Sequence, residues 1–386
     1  TSVLVSPSQP RFKFVLIQKR FGRMAAGHAS VQMLLLIAEL SLVSGLLMSG
    51  SWEKIEIGFA NASFAADKAP LGRVPAAFVA CGGHLYVFGG ETDDSTGPAP
   101  NRFLNDLWRY TPGEGWALLS STSDESGPAP RVLSSIVCAG GELTIFGGVM
   151  RKSPTDNVIV GDVWSFSLAQ GTWRQVQQSR SDQLGPGPSS SHTATVIDSQ
   201  PDSMIVFGGS NDLGAATNKM WVYSLSKNIW RELRPQGLPD VRSFHTSVAI
   251  PGTSKMKMWG GVDDNSVWTY DLEVDAWSVV SSDLVYESGR SGAELNGEFY
   301  SFGGLEITHG QTLYSNALSM LVADGSWSEM PVISTVPDGR CYAAFASIGG
   351  YVYMFGGYRR DVSSGTMTVE RLPDLWRLSL TLGLVV

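Results

Sequence analysis

His84-Leu-Tyr-Val-Phe-Gly-Gly90, followed by Asp106-Leu-Trp-Arg-Tyr110 and then Trp116, is the stretch on which the fold turns. Its first half is a short apolar run ending in an aromatic residue and two glycines. The same ending recurs at Phe146-Gly147-Gly148, Phe207-Gly208-Gly209, Trp259-Gly260-Gly261, Phe302-Gly303-Gly304 and Phe355-Gly356-Gly357. The second half recurs as well. Trp108 and Trp116 are followed by Trp164 and Trp173, Trp221 and Trp230, then Trp268 and Trp277. In the fifth unit Leu318 stands in place of the first Trp, and Trp327 follows it. In the sixth, Trp376 lacks a downstream partner, and Trp52 supplies it from the other end of the frame. All 12 tryptophans then fall in one repeat.

Tight turns such as Gly82-Gly83, Gly140-Gly141, Asn296-Gly297 and Gly349-Gly350 join the apolar runs into hairpins. Four short strands per unit make one small sheet, which cannot cover both of its own faces. Six such sheets stacked radially bury each other and leave only short edges. The sequence therefore predicts an all-β, six-bladed propeller over residues 51–386. Residues 51–57 are expected to form the outermost strand of the last blade and to close the ring. The glycine pairs remove side chains where backbones pass closely. The tryptophans supply buried area between blades.

The frame resembles the kelch family. The resemblance rests on the glycine pairs, the tryptophans and the runs Asp106-Leu107-Trp108-Arg109-Tyr110, Asp162-Val163-Trp164-Ser165-Phe166 and Asp374-Leu375-Trp376. It covers about residues 51–380 and implies a kelch-type propeller. Strand alternation puts each second-to-third-strand loop on the same face as the connections between blades. Those segments are long and rich in Pro, Gly and Ser: residues 91–104, 149–161 and 358–373, with links 117–130, 174–188 and 328–339. Long loops on a rigid scaffold are where binding residues sit. Toward that face the innermost strands open with Arg73, Arg131, Arg242, Arg290 and Arg340, with Ser189 in the third blade. Two readings stand. The arginines ring the channel mouth and clamp carboxylates or phosphates, or they belong to the kelch pattern and pair with neighbouring aspartates.

Composition narrows the function. The net charge of −8 is unevenly spread, because residues 1–50 hold Arg11, Lys13, Lys19, Arg20 and Arg23 against Glu39 alone. The propeller is thus the acidic part, a poor ligand for nucleic acid. Some kelch proteins resemble copper-radical oxidases or metal-dependent hydrolytic enzymes, so the resemblance leaves catalysis to be weighed. No two of His28, His84, His192, His245 and His309 have metal-ligand spacing. His192 and His245 each lie three residues into the opening of an innermost strand and read as hydrogen-bonded structural groups. Cys81, Cys138 and Cys341 lie in strand-like runs and read as small buried hydrophobes. Their odd, sparse number argues against a disulfide scaffold. Asp93-Asp94 and Asp263-Asp264 lack an ordered calcium-ligand series. No phosphate loop or nucleophile elbow is present. The expectation is no catalytic residue, no cofactor and no metal. A soluble or secreted kelch enzyme working through the long-loop face is the alternative.

Ahead of the propeller, residues 31–48 are apolar apart from Gln32, Glu39 and a few serines. At ~1.5 Å per residue they would span about 27 Å, close to a bilayer core. A signal peptide, an organellar import sequence and a retained membrane helix all have this layout. The favoured expectation is a helix from about Met24 to Met48 in an organellar (mitochondrial or plastid) or secretory-pathway membrane. Glu39 would face a partner subunit, since facing lipid is costly. Asn61-Ala62-Ser63 is a glycosylation sequon, usable only in the secretory lumen. The function expected is a non-catalytic, membrane-tethered propeller, an interaction or accessory subunit of a membrane protein complex. A soluble adaptor with a targeting sequence is the further alternative.

Overall fold

The structure is a computed structural model and describes residues 46–56, 69–93, 101–122, 126–153, 156–178, 185–262, 266–281, 287–308, 311–361 and 368–384. It divides into two units, residues 50–380 and a second made of residues 1–49 with 381–386. The larger unit is a six-bladed β-propeller. Blade one consists of Ala77–Cys81, His84–Asp93, Asn101–Thr111 and Gly115–Ser120, paired in that order from the axis outward. The other innermost strands are Ser135–Ala139, Thr193–Ile197, Thr246–Ala249, Ser291–Leu295 and Ala344–Ile348. The register repeats. The first residue of each innermost strand pairs with the aromatic before the glycine pair, from Ala77 opposite Phe88 to Ala344 opposite Phe355.

The repeat signature is the chemistry of the blade interface. In every blade the outer-strand tryptophan packs on the pre-glycine aromatic of the preceding blade. Trp116 meets Phe355, Trp173 meets Phe88, Trp230 meets Phe146, Trp277 meets Phe207, Trp327 meets Trp259 and Trp52 meets Phe302, with centroids 4.9–5.4 Å apart. The first glycine of each pair has φ of 63–74°, where a side chain is disfavoured. It also abuts the next blade. A Cβ on Gly147 would lie 2.3 Å from the Ser189 carbonyl oxygen, and one on Gly356 would lie 2.7 Å from that of Arg73. The second glycine donates its N–H to that same carbonyl, as Gly148 does to Ser189 at 2.8 Å and Gly304 to Arg340 at 2.9 Å. Close backbone approach thus explains both glycines.

The last blade is Ala344–Ile348, Tyr351–Phe355, Leu375–Leu384 and, outermost, Leu46–Lys54. Ile55 N bonds Leu375 O, and Gly50 exchanges bonds with Pro331 and Ile333 of the preceding link. The strand therefore begins earlier than the sequence suggested. Residues 46–48 were expected to end a helix, but they are extended and pair in the sheet. The remainder of that expected helix, Glu39 included, lies outside the described residues. Among the described residues there is no helix, and so none long and apolar enough to cross a membrane.

Candidate functional site

The five arginines do not form one ring of free cations. Arg73, Arg131 and Arg340 are buried, and each makes a two-pronged ion pair within its own blade, to Asp106, Asp162 and Asp374 at 2.5–3.0 Å. Each also donates to the carbonyl of its first glycine, Gly89, Gly147 or Gly356, at 3.0 Å. The same aspartates accept from Trp108, Trp164 and Trp376. This is the pairing reading; the carboxylates that an anion would supply are already built in. In blade four Arg242, also buried, reaches Gly260 O and Ser266 Oγ at 3.4 Å, Ser266 standing where the aspartate would be. Ser189 of blade three instead meets His192 Nδ1 at 3.3 Å.

Arg290 is a different position. Fifteen residues separate Arg73 from Phe88, Arg131 from Phe146 and Arg340 from Phe355, but only twelve separate Arg290 from Phe302. Glu287 fills the arginine position of blade five. Arg290 starts nearer the axis, folds its stem over Gly304 and donates to Gly303 O and Ser319 Oγ at 3.2 Å. Its guanidinium thus reaches the glycine carbonyl that its counterparts reach from elsewhere.

Hydroxyls and imidazoles tie the innermost strands together around the axis. Ser135 meets His192 Nε2 at 2.9 Å, Thr193 meets His245 Nε2 at 2.8 Å and Thr195 meets Ser247 at 2.6 Å. Thr246 donates to Arg290 O, and Ser291 to Ala343 O. Burial lowers both histidines to about 3, with the Arg242 charge adding to the effect at His245. An unfolded histidine titrates near 6.5, so unfolding takes up protons between these values. Stability is full above pH 6.5 and falls as pH drops. The slope is about 1.4 kcal/mol per pH unit per histidine, or about 2 kcal/mol each at pH 5. Urea midpoints of the wild type should drop between pH 7 and 5 more steeply than those of a His192→Gln/His245→Gln variant. Parallel profiles would contradict the assignment.

Four blades raise hairpins on the long-loop face. In blades one and two the second and third strands continue past the glycines, pairing Glu91 with Phe103 and Met150 with Val158. Blades five and six add Leu305–Thr308 with Gln311–Tyr314 and Tyr358–Asp361 with Thr368–Arg371. Side chains join these hairpins into a rim. Tyr314 packs on Tyr358 at 5.8 Å, joining five to six. Arg371 pairs with Glu91 at 2.9 Å and with Asp93, joining six to one. Arg151 lies 3.9 Å from Glu91 and over the Phe103 ring, joining one to two. Among the described residues the rim does not extend to blades three and four, where Leu213, Leu238, Val241 and Val262 stand exposed, Leu213 at 86%.

Inside the rim, a collar surrounds the mouth of the axial channel. Its members lie two residues after each arginine position: Pro75, Leu133, Ser191, Phe244, Gly289 and Tyr342. Leu133, Ser191, Phe244 and Tyr342 are left-handed, with φ of 53–60°, a conformation that costs an ordinary residue about 1–2 kcal/mol. Backbone bonds between blades impose it: Ser191 N to Leu133 O, Phe244 N to Ser191 O and Tyr342 N to Gly289 O, at 2.9–3.1 Å. The five side chains line a cavity of about 190 Å³ with His192, His245 and Arg290.

The family model for the attractin/LZTR1 β-propeller matches residues 114–367. The chain belongs to this family. A kelch-motif model also matches residues 72–115 of this attractin/LZTR1-type propeller. Among its relatives is Kelch domain-containing protein 3 of Homo sapiens, 23% identical over 276 residues, 66% of this chain and 69% of that protein. The Leucine-zipper-like transcriptional regulator 1 homolog of Drosophila melanogaster is 26% identical over 71% of this chain, which spans 28% of that protein. Putative protein tag-53 of Caenorhabditis elegans is 25% identical over 81% of the chain, which spans 23% of it. The solved structure of YjhT superposes with a TM-score of 0.60 over 82% of this chain and 98% of that one, at 13% identity, and shows the shared fold.

Two cysteines of this attractin/LZTR1-type propeller depart from the sequence reading. Cys81 and Cys138, expected as separate buried hydrophobes, form a disulfide between the innermost strands of blades one and two, with Cα atoms 5.8 Å apart. Cys341 is free and buried, and burial pushes its thiol up to about 12, which makes it unreactive. Among the described residues no three His, Cys, Asp or Glu side chains converge as metal ligands.

Proposed function

We propose that the chain is a non-catalytic protein-interaction module whose long-loop face receives the partner. The observation that carries this is the rim fused across blades five, six, one and two, with Leu213, Leu238, Val241 and Val262 exposed beyond it. Exposed apolar side chains gathered beside a rigid rim suit an interaction site. The opposite face carries tight turns such as Gly82-Gly83 and Gly140-Gly141.

We further propose that residues 24–45 tether the propeller to a membrane as an accessory subunit of a complex. With residues 46–48 in the sheet, the apolar stretch 31–45 alone would span about 22 Å as a helix, short of the ~30 Å core. The tether must therefore draw on residues 24–30, whose small side chains permit close helix approach. One experiment addresses both statements. A photo-crosslinking amino acid is placed at Leu213 on the long-loop face or at Val274 on the opposite face, and membranes from the source cells are washed with carbonate before irradiation. A protein adduct is expected from Leu213 and not from Val274, with the chain retained in the pellet. Adducts from Val274 alone would refute the face, and release by carbonate would refute the tether.

A further inference from the structure

We infer that the collar at the channel mouth is a pocket for one neutral side chain presented by a partner protein. This rests on the long-loop face being the protein-binding surface. At five of the six collar positions, all but Pro75, the backbone is left-handed, the conformation glycine adopts without cost. Blade five does use glycine there, Gly289. Blades two, three, four and six instead carry Leu133, Ser191, Phe244 and Tyr342, and the side chains they add line the cavity. Strained positions repeated at equivalent sites point to use. They are also held by bonds from neighbouring blades, so the collar is rigid before anything binds. Phe244 and Tyr342 meet at 5.3 Å, and Tyr342 stacks on Tyr358 at 13°, forming one aromatic wall. No room remains at Gly289, where a Cβ would lie 3.0 Å from the Tyr342 ring.

Charge selects the ligand. The cavity of about 190 Å³ is the outer end of the axial channel and shares Ala76, His192, His245 and Thr246 with the next space inward, of about 240 Å³; its mouth suits one anchoring side chain of the kind that dominates protein interfaces. Its lining contains no Asp, Glu or Lys. The guanidinium of Arg290 is turned into its blade, toward Gly303 and Ser319. The Nε2 atoms of His192 and His245 are held by Ser135 and Thr193. A charged group entering here would lose its hydration without a counter-charge placed to receive it. A neutral group meets Pro75, Leu133, Phe244 and Tyr342 beside the hydroxyls of Ser134, Ser191, Thr246 and Ser291.

The test uses three probes of one shape on the whole chain: benzyl alcohol, benzoate and benzylamine. Protein labelled with 13C in its leucine methyls is titrated with each. Benzyl alcohol should shift the Leu133 methyls saturably, and the two charged probes should bind at least about ten-fold more weakly. Leu133→Gly and Phe244→Gly should each weaken benzyl alcohol binding, yet leave the melting temperature unchanged or higher, because glycine relieves the left-handed strain. A merely structural collar would give the reverse: a lower melting temperature and unaltered probe binding. Equal or tighter binding of benzoate, or no Leu133 shift with any probe, would overturn the pocket. Cross-links from Leu213 report separately. If they form while no probe binds, the pocket fails and the protein-binding face stands. If probes bind and Leu213 gives no adduct, the face fails instead.

Discussion

Deleting residues 46–56 should abolish the cooperative melting of the entire propeller. Blade six would lose its outer strand, and the Leu375–Leu384 strand would become an open edge. Trp52, 3% exposed, would leave the space between Phe302 and Phe345, whose rings it meets at 5.3 and 6.3 Å. Emptying such a site costs about 3–5 kcal/mol for a large aromatic. The bonds from Gly50 and Ile55 that join the ends of the ring would go with it. Together these losses approach the 5–15 kcal/mol that holds a typical domain. Calorimetry should show no single sharp transition, or one at least ~10 °C lower. Trp52→Ala alone should lower it by about 6–10 °C, at ~2 °C per kcal/mol for a chain of this size. An unchanged melting temperature in the deletion would mean that the ring does not depend on this strand.

Asp162→Ala should destabilise the propeller by about 3–5 kcal/mol, because it leaves a buried guanidinium without its carboxylate. Arg131 is fully buried in its side chain and bonds both carboxylate oxygens, at 2.7 and 2.9 Å. Trp164 Nε1 would lose its acceptor as well. The double variant Arg131→Met/Asp162→Ala should recover much of the loss, since the cost lies in the stranded charge rather than in the absence of the pair. Urea denaturation of the two singles and the double measures this. A loss under 1 kcal/mol for Asp162→Ala would show that Arg131 finds solvent or another partner. The same variant bears on the anion reading: if these arginines served a ligand, removing Asp162 would strengthen anion binding at little cost in stability.

The parts of this molecule that were legible in the sequence are those that every blade needs alike. The glycine pairs and tryptophans answer one geometric demand at each interface, so their recurrence gave blade number, register and the place of Trp52. His192 and His245 were legible for the same reason: their frame position faces a neighbouring blade's hydroxyl. Arg290 alone misled, because residue type was matched without counting register; the shorter interval from Arg290 to Phe302 was the available signal. The collar escaped because its mark is a missing glycine, visible only once the backbone bonds between blades fix φ above zero. The Cys81–Cys138 bridge escaped because two residues 57 apart meet only when two strands are laid side by side at the axis. The rim depends on ion pairs among hairpins from four blades, which no local pattern records.

The working face is the central claim, and hydrogen exchange on the purified chain, alone and with the protein recovered by the Leu213 cross-link, tests it most directly. Protection should fall on residues 101–104, 149–160, 211–217, 305–314 and 358–371, with the collar residues Leu133, Phe244 and Tyr342. Protection confined to the opposite turns, residues 82–83, 140–141, 225–228 and 272–275, would contradict it.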